Sequence, residues 1–366
     1  MIIDRQESKK VKKILVVDDS ALMRRVLCDI IESDERFQVE DRAVNGLEAL
    51  DLLTKKTYDA VVLDVNMPQM NGLELLKELQ KRKISARVMM ASTDTKEGAK
   101  TTMDALELGA LDFVHKPNNA MDCRTDAFKS RLLRVLTVVT ESKAPSIGKP
   151  FTMEEIKTSK KMVELVGKHA SSVAGNKVVA LASSTGGPRA LQSVIPRLPR
   201  NLKAPVVIVQ HMPAGFTASL AERLNSLSEV RVKEAAEGDV LEAGTVYIAM
   251  GGKHLNIQSS SGKYSIHYSD QPTREGVKPC ANYMYESLMD SRYDQVVCVV
   301  MTGMGADGTE GIKHLKEKKK IHVIAQEAST CAVYGMPRSI VNSQLADQVV
   351  PLDQIAQEII MNVGVQ

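Results

Sequence analysis

Neither sign of charge dominates this 366-residue chain: 48 Lys and Arg stand against 45 Asp and Glu, a formal net charge of +3. That balance argues against a strongly basic nucleic-acid binder, although an average hides any local patch. Cysteine is scarce too. Cys28, Cys123, Cys280, Cys298 and Cys331 are odd in number and form no C-x-x-C pair. They read as reduced thiols, not as a disulfide or zinc framework. Long apolar runs are missing, and nothing approaches the ~20 residues of a membrane span. The first ten residues lack the apolar core of a signal peptide. The expectation is a soluble, cytoplasmic protein without membrane insertion. What remains is ordinary globular composition, 43% hydrophobic and 25% charged. At the usual ~100–200 residues per domain, the length implies two domains.

The charge is unevenly spread. Residues 1–10 carry +1, residues 11–128 carry −4, residues 129–177 carry +6, and residues 178–366 are neutral. A basic stretch between an acidic and a neutral part predicts a linker between two dissimilar domains. The expected boundaries are a first domain over 11–130, a linker over 131–174 with a helix at Met153–Lys168, and a second domain over 175–366.

Within 11–130, short apolar runs alternate with amphipathic stretches. Strands are predicted at Lys13–Val17, Ala60–Leu63, Arg87–Ala91 and Asp112–His115, with helices around Gly46–Thr54 and Lys100–Leu108. The alternation returns from Val178, with further strands at Pro205–Gln210, Thr245–Ala249, Gln295–Met301 and Ile321–Ala325 and a hairpin near Leu255–His267. Such alternation predicts the α/β class: two doubly wound, largely parallel-sheet domains.

In such sheets ligands bind outside the carboxyl ends of the strands. In the first domain those ends carry Asp18 and Asp19, Asp64, Ser92 and Lys116. Three converging carboxylates repel one another, and Mg²⁺ offsets that repulsion. A lone Asp pair more often just caps a helix. The pair here is joined by D-V-N-M-P-Q-M-N-G around Asp64, G-A-L-D-F at 109–113 and Lys116-Pro117. Residues 13–117 therefore resemble a response-regulator receiver domain, with the flavodoxin-like fold. The resemblance implies that Asp64 accepts phosphate from a histidine kinase and that Asp18, Asp19 and Asp64 hold Mg²⁺. It also implies that Lys116 pairs with the phosphoryl oxygens and that Phe113 is the switching aromatic. Ser92 or Thr93 is the switch hydroxyl, because Val88–Thr95 holds one residue more than expected.

The second domain presents Ser183-Ser184-Thr185-Gly186-Gly187-Pro188 between a strand and a helix. A hydroxyl there lies near free backbone N–H groups that favour developing negative charge. A plain N-cap serine explains this motif alone equally well. His211 ends a second apolar strand, and Asp307 lies in M-T-G-M-G-A-D-G after a third. Each has a bland reading, as a structural histidine or a turn aspartate. Together, on adjacent strand ends, a hydroxyl, an imidazole and a carboxylate supply what acyl transfer needs. No G-x-S-x-G is present, so the α/β-hydrolase signature is missing. Neither G-x-G-x-x-G nor a Gly-Lys-Ser/Thr ending is present in the Ser183–Pro188 turn, which weighs against a phosphate-binding loop there. An α/β nucleotide-binding enzyme using Ser184–Pro188 and Gly303–Gly308 as phosphate loops is one rival. A receiver joined to a non-catalytic output is the other rival, and an esterase assay separates the two. No H-x-x-x-H spacing suggests a catalytic metal in this domain.

Residues 178–350 resemble the catalytic domain of chemotaxis protein-glutamate methylesterases, the CheB family. The match runs through A-S-S-T-G-G-P, V-I-V-Q-H-M-P, G-G-K-H at 251–254, M-T-G-M-G-A-D-G and Gln326–Ser329 with Gly335–Pro337. The resemblance implies a Rossmann-like methylesterase domain with Ser184 as nucleophile, His211 as base and Asp307 as orienting acid. Thr185 and Met304 then form the oxyanion region. By composition alone Ser183 remains a second candidate. Met250, Cys280 and Asn282 depart from the more usual Pro, Ser and Asp, and are expected to lie away from the triad. The implied activity is hydrolysis of glutamyl γ-methyl esters on methyl-accepting chemotaxis receptors, with deamidation of glutamines by the same route. A histidine kinase serves as phosphodonor, the esterase step needs no cofactor, nucleic acid is no partner, and the protein is expected to be a monomer.

Overall fold

The computed structural model describes residues 10–93, 96–117, 123, 125–142, 175–260 and 263–366. The chain divides into two compact units, Met1–Gly148 and Lys149–Gln366. The helix expected at Met153–Lys168 lies outside the described residues.

In the first unit, β1 (Lys12–Val17), β2 (Phe37–Ala43), β3 (Ala60–Asp64), β4 (Val88–Thr93) and β5 (Asp112–Lys116) form one sheet in the order β2-β1-β3-β4-β5. Every pair is parallel. Ile14–Val17 and Ala60–Leu63 are completely buried, because helices cover both faces of the central strands and leave no polar side to alternate with. Strand β2 lies at the edge and buries only Phe37, Val39 and Ala43. Its sequence is too polar to read as an apolar run, and it is absent from the expected strands.

The helices start on side-chain caps. Ser20 accepts from Met23 N–H ahead of α1 (Ala21–Glu32), and Asn45 accepts from Glu48 N–H ahead of α2 (Gly46–Lys55). Asn71 and Glu74 form a reciprocal capping box on α3 (Gly72–Lys81). Next come α4 (Lys96–Glu107) and α5 (Asp126–Glu141). The last of these corrects the expected boundary: α5 runs through position 130 and buries Leu132, Val135, Leu136, Val138 and Val139. It packs on β4, β5 and α1. Residues 131–142 thus complete the first unit. Arg131 and Arg134 shift the local charge balance and mask an amphipathic helix as linker.

The second unit is a seven-stranded sheet of β6 (Lys177–Ser183), β7 (Val206–Gln210), β8 (Arg231–Glu234), β9 (Thr245–Ile248), β12 (Gln295–Val300), β13 (Ile321–Gln326) and β14 (Gln348–Val350). The order is β14-β13-β12-β6-β7-β9-β8, parallel throughout. A separate antiparallel hairpin joins β10 (His254–Ser260) to β11 (Lys263–Ser269). The helices are α6 (Gly187–Val194), α7 (Phe216–Leu227), α8 (Ala281–Ser287), α9 (Thr309–Lys318), α10 (Met336–Asn342) and α11 (Ile355–Val363). The edge strands β8 and β14 are short, and neither is among the expected strands. Among the described residues no helix is long and apolar enough to cross a membrane.

Chain order reverses beside β1 in the first sheet and beside β6 in the second. Those are the switch points at which loops part and leave a crevice. Both candidate sites lie there.

Candidate functional sites

At the first switch point, β1 delivers Asp18 and its neighbour β3 delivers Asp64. The register places Val17 opposite Leu63, so the two strand ends are level. Asp18 and Asp64 are buried and Asp19 is exposed, and the three can bring carboxylate oxygens within 4.8 Å of one another. Glycine shapes the loop after Asp64. A Cβ at Gly72 would come within 2.4 Å of the Asp64 carbonyl oxygen, so the chain folds back tightly only because that side chain is missing.

Lys116, from the end of β5, extends its Nζ to 2.9 Å from Asp18 Oδ2 and 2.7 Å from Asp64 Oδ1. Burial alone would lower the lysine pKa; the carboxylates of Asp64 and Asp18 outweigh it and hold it above the ordinary value. Three carboxylates against one ammonium still leave an excess of negative charge. The donors are all oxygen, the set a hard divalent cation takes. Among the described residues this is the one group of His, Cys, Asp or Glu ligands close enough to hold a metal.

Ser92 is buried on β4, with its hydroxyl donating to the Gly98 carbonyl at 3.3 Å. The register sets Ser92 beside His115 and Thr93 beside Lys116. The Thr93 side chain lies outside the described residues. Phe113 is buried in β5.

At the second switch point three neighbouring strands, β12, β6 and β7, end together. Val300 pairs with Ala182 and Ser183 with Gln210. The loops beyond them carry Asp307, Ser184 and His211, so the expected adjacency of the three strand ends is what the sheet provides. His211 Nε2 lies 2.7 Å from Asp307 Oδ2, and both side chains are buried. With Nε2 engaged by the carboxylate, Nδ1 is the ring nitrogen left to exchange a proton.

The two adjacent serines differ. Ser183 is fully buried and its hydroxyl donates to Gln210 Oε1 at 2.7 Å. Ser184 is partly exposed, and among the described residues its hydroxyl is engaged in no hydrogen bond. Its backbone is pinned instead: Ser184 N–H donates to the Thr302 carbonyl, and Gly187 N–H donates to the Ser184 carbonyl. Thr185 is buried and its carbonyl accepts from Thr302 Oγ1 at 3.0 Å. Met304 is 40% exposed and follows Gly303, where a Cβ would sit 2.7 Å from Ser184 Cβ. The Asp307 loop thus passes directly against the nucleophile candidate.

Several residues at this site escaped the sequence reading. Gln210, 1% exposed, accepts from Ser183 and donates from Nε2 to the carbonyls of Ser184 (2.9 Å) and His211 (3.3 Å). It ties the hydroxyl-bearing and imidazole-bearing segments together. Gln326 accepts from Thr302 N–H at 2.8 Å and so supports the carbonyl that receives Ser184. The only sequence signal was their place in matched motifs. Cys280 and Asn282 correct an expectation: they touch Asp307. Cys280 Sγ donates to Oδ1 at 3.0 Å and Asn282 N–H donates to the same oxygen at 3.0 Å. These residues are about 25 positions from Asp307 in the chain, and only the docking of α8 joins them. Burial alone would raise the Asp307 pKa; the His211 hydrogen bond and charge, helped by Ala281 N–H and Cys280, hold it below the usual carboxylate value.

Comparison with known proteins now bears on both sites. The model of the CheB methylesterase matches residues 179–359, and that of the response regulator receiver domain matches residues 14–127. A protein-glutamate methylesterase/protein-glutamine glutaminase of Bacillus licheniformis is 42% identical over 95% of this chain and 97% of its own length. One of the same name from Geobacillus kaustophilus is 40% identical over 97% of this chain and 99% of its own. The crystal structure of the Thermotoga maritima CheB methylesterase catalytic domain is 41% identical, with a TM-score of 0.49, covering 51% of this chain and 98% of that one. With two α/β units, a receiver model over the first and relatives matched along nearly their whole length, the chain belongs to the CheB methylesterase family.

Proposed function

We propose that this chain is a receiver-controlled serine esterase that hydrolyses glutamyl γ-methyl esters on chemotaxis receptors, releasing methanol. One observation carries the assignment of chemistry: the buried 2.7 Å contact of His211 with Asp307, on strand ends that flank Ser184. Ser184 Oγ attacks the ester carbonyl and passes its proton to His211 Nδ1. Asp307 orients the ring and stabilises the imidazolium. Backbone N–H groups of the Thr185 and Met304 segments face the developing oxyanion. Methanol departs with the proton from His211, leaving a glutamyl ester on Ser184. Water then gives a proton to the same nitrogen, attacks the acyl carbonyl and frees the glutamate and the serine. A receptor glutamine amide follows the same route with ammonia as the leaving group, in keeping with the names of the relatives.

Asp64 is the phosphoacceptor, and its phosphodonor is a histidine kinase. Asp18, Asp19 and Asp64 would hold Mg²⁺, which supplies positive charge to the phosphoryl oxygens. Lys116 pairs with those oxygens, Ser92 or Thr93 turns toward them, and Phe113 responds to that movement. Phosphorylation adds up to about two negative charges beside a lysine already shared by two carboxylates. The esterase step needs no cofactor, and the protein acts in the cytoplasm as a monomer.

The test is methanol release from methylated receptor, with and without a small phosphodonor. Release that rises with phosphodonor, and fails to rise in Asp64→Asn, supports the reading. A chain that releases no methanol under either condition defeats it.

A further inference from the structure

We propose that Cys280 is a positioning residue of the hydrolytic site, its thiol holding Asp307 in the orientation that engages His211. This rests on the triad reading above.

Asp307 is nearly inaccessible to solvent, and both of its oxygens are used. Oδ2 accepts from Ala281 N–H at 2.6 Å and meets His211 Nε2 at 2.7 Å. Oδ1 accepts from Asn282 N–H and from Cys280 Sγ, each at 3.0 Å. The two backbone donors come from the start of α8 and lie on one side of the carboxylate. The thiol is the only side-chain donor to Oδ1 among the described residues. Removing it leaves Oδ1 with one partner and lets the carboxylate turn about its Cβ–Cγ bond, taking Oδ2 away from the ring.

Cys280 is itself held in place. Its backbone N–H donates to His254 Nδ1 at 3.2 Å, and His254 is completely buried, edge-on to Tyr283 at 4.8 Å between ring centroids. An Nδ1 that accepts puts the ring proton on Nε2 and keeps the ring neutral. Burial lowers the His254 pKa, as does the nearby Lys278. The thiol stays protonated: burial, and after it the Asp307 carboxylate, raise its pKa far above the free-cysteine value. Cys280 is therefore a donor here and not a second nucleophile. The titratable groups facing Asp307 are His211 beyond β7, Cys280 ahead of α8, Tyr285 on α8 and His254 at the start of β10.

A donor to Oδ1 draws charge from the carboxylate, and charge on the carboxylate stabilises the imidazolium. A thiol is a weak donor and a hydroxyl a stronger one. Cys280→Ser should therefore move the acidic limb of the rate profile to lower pH and keep kcat within about 3-fold. Cys280→Ala should lower kcat about 10-fold, with KM changed less than about 2-fold, because the lost interaction acts in the transition state. It should also move that limb to lower pH, because a carboxylate turned away from the ring stabilises the imidazolium less.

The experiment uses the full chain. Methanol release from methylated receptor is measured from pH 5.5 to 9 for both variants, with Ser184→Ala run alongside. A roughly 10-fold loss of kcat in Cys280→Ala that Cys280→Ser restores, with the acidic limb moved to lower pH in both, supports the proposal. Wild-type kcat and limb in Cys280→Ala overturn it, as does a Cys280→Ser limb that stays put or moves upward. The serine variant alone decides the matter if the alanine variant does not fold. Wild-type release by Ser184→Ala would instead overturn the triad reading, so the two failures are distinguishable.

Discussion

Gln210 accepts the hydroxyl of Ser183 at 2.7 Å and so removes one of two adjacent serines from solvent and from chemistry. The same amide donates to the Ser184 carbonyl. One side chain thereby separates the two hydroxyls by role: one is a structural donor, the other is uncommitted among the described residues.

Ser184→Ala should abolish methanol release with the fold intact. Ser183→Ala should retain release but unfold more easily, since a buried carbonyl oxygen left without its donor costs about 1–3 kcal/mol. Methanol assays and urea midpoints on the two variants check this. Activity lost in Ser183→Ala and kept in Ser184→Ala would move the nucleophile by one residue.

Gly303→Ala is expected to damage activity from outside the triad. Its Cβ would lie 2.4 Å from Met336 Sδ and 2.7 Å from Ser184 Cβ. The sulfur yields, whereas the serine does so only by moving. Overpacking of this kind costs roughly 1–3 kcal/mol, and a displacement near 1 Å lowers kcat by about 10²-fold. Steady-state kinetics with wild-type kcat would show that the loop accommodates a methyl group.

The depressed pKa of Asp307 makes a pH prediction with a definite sign. Its folded value lies below the unfolded one of ~3.9, so its contribution to stability is complete above that pH and is lost as pH falls through the folded value. The stability gap between wild type and Asp307→Asn should be steady from about pH 7 to pH 5 and shrink below about pH 4. Urea unfolding across that range measures it. A gap that does not change with pH would contradict the assignment of an ionised, stabilised Asp307.

Asp64→Asn should prevent labelling by a small phosphodonor, and a chelator should prevent it in the wild type. Basal methanol release should survive the chelator. Loss of basal release along with labelling would mean that the second unit also depends on a metal.

How much of this was legible depended on burial. Ile14–Val17, Ala60–Leu63, Val178–Ala182 and Val296–Val300 read as strands because both their faces are covered, which forces an uninterrupted apolar run. Strands β2, β8 and β14 lie at sheet edges, where one flank lacks a partner and the composition relaxes toward polar. They left no such run to read. Helix α5 was hidden by its arginines, although its apolar spacing places Leu132, Val135, Leu136 and Val139 on one buried face.

Sequence alone determined the alternation of strand and helix, the two-unit plan and the strand-end residues Asp18, Asp64, Ser184, His211 and Asp307. These follow from local patterns, since apolar runs and the polar residues that end them are neighbours along the chain. Tertiary structure decided which side chains meet. Lys116 reaches Asp18 across 98 positions, Gln210 reaches Ser183 across 27, and Cys280 reaches Asp307 across 27. Such contacts depend on strand order and helix docking, which bring together residues whose spacing in the chain carries no periodic signal.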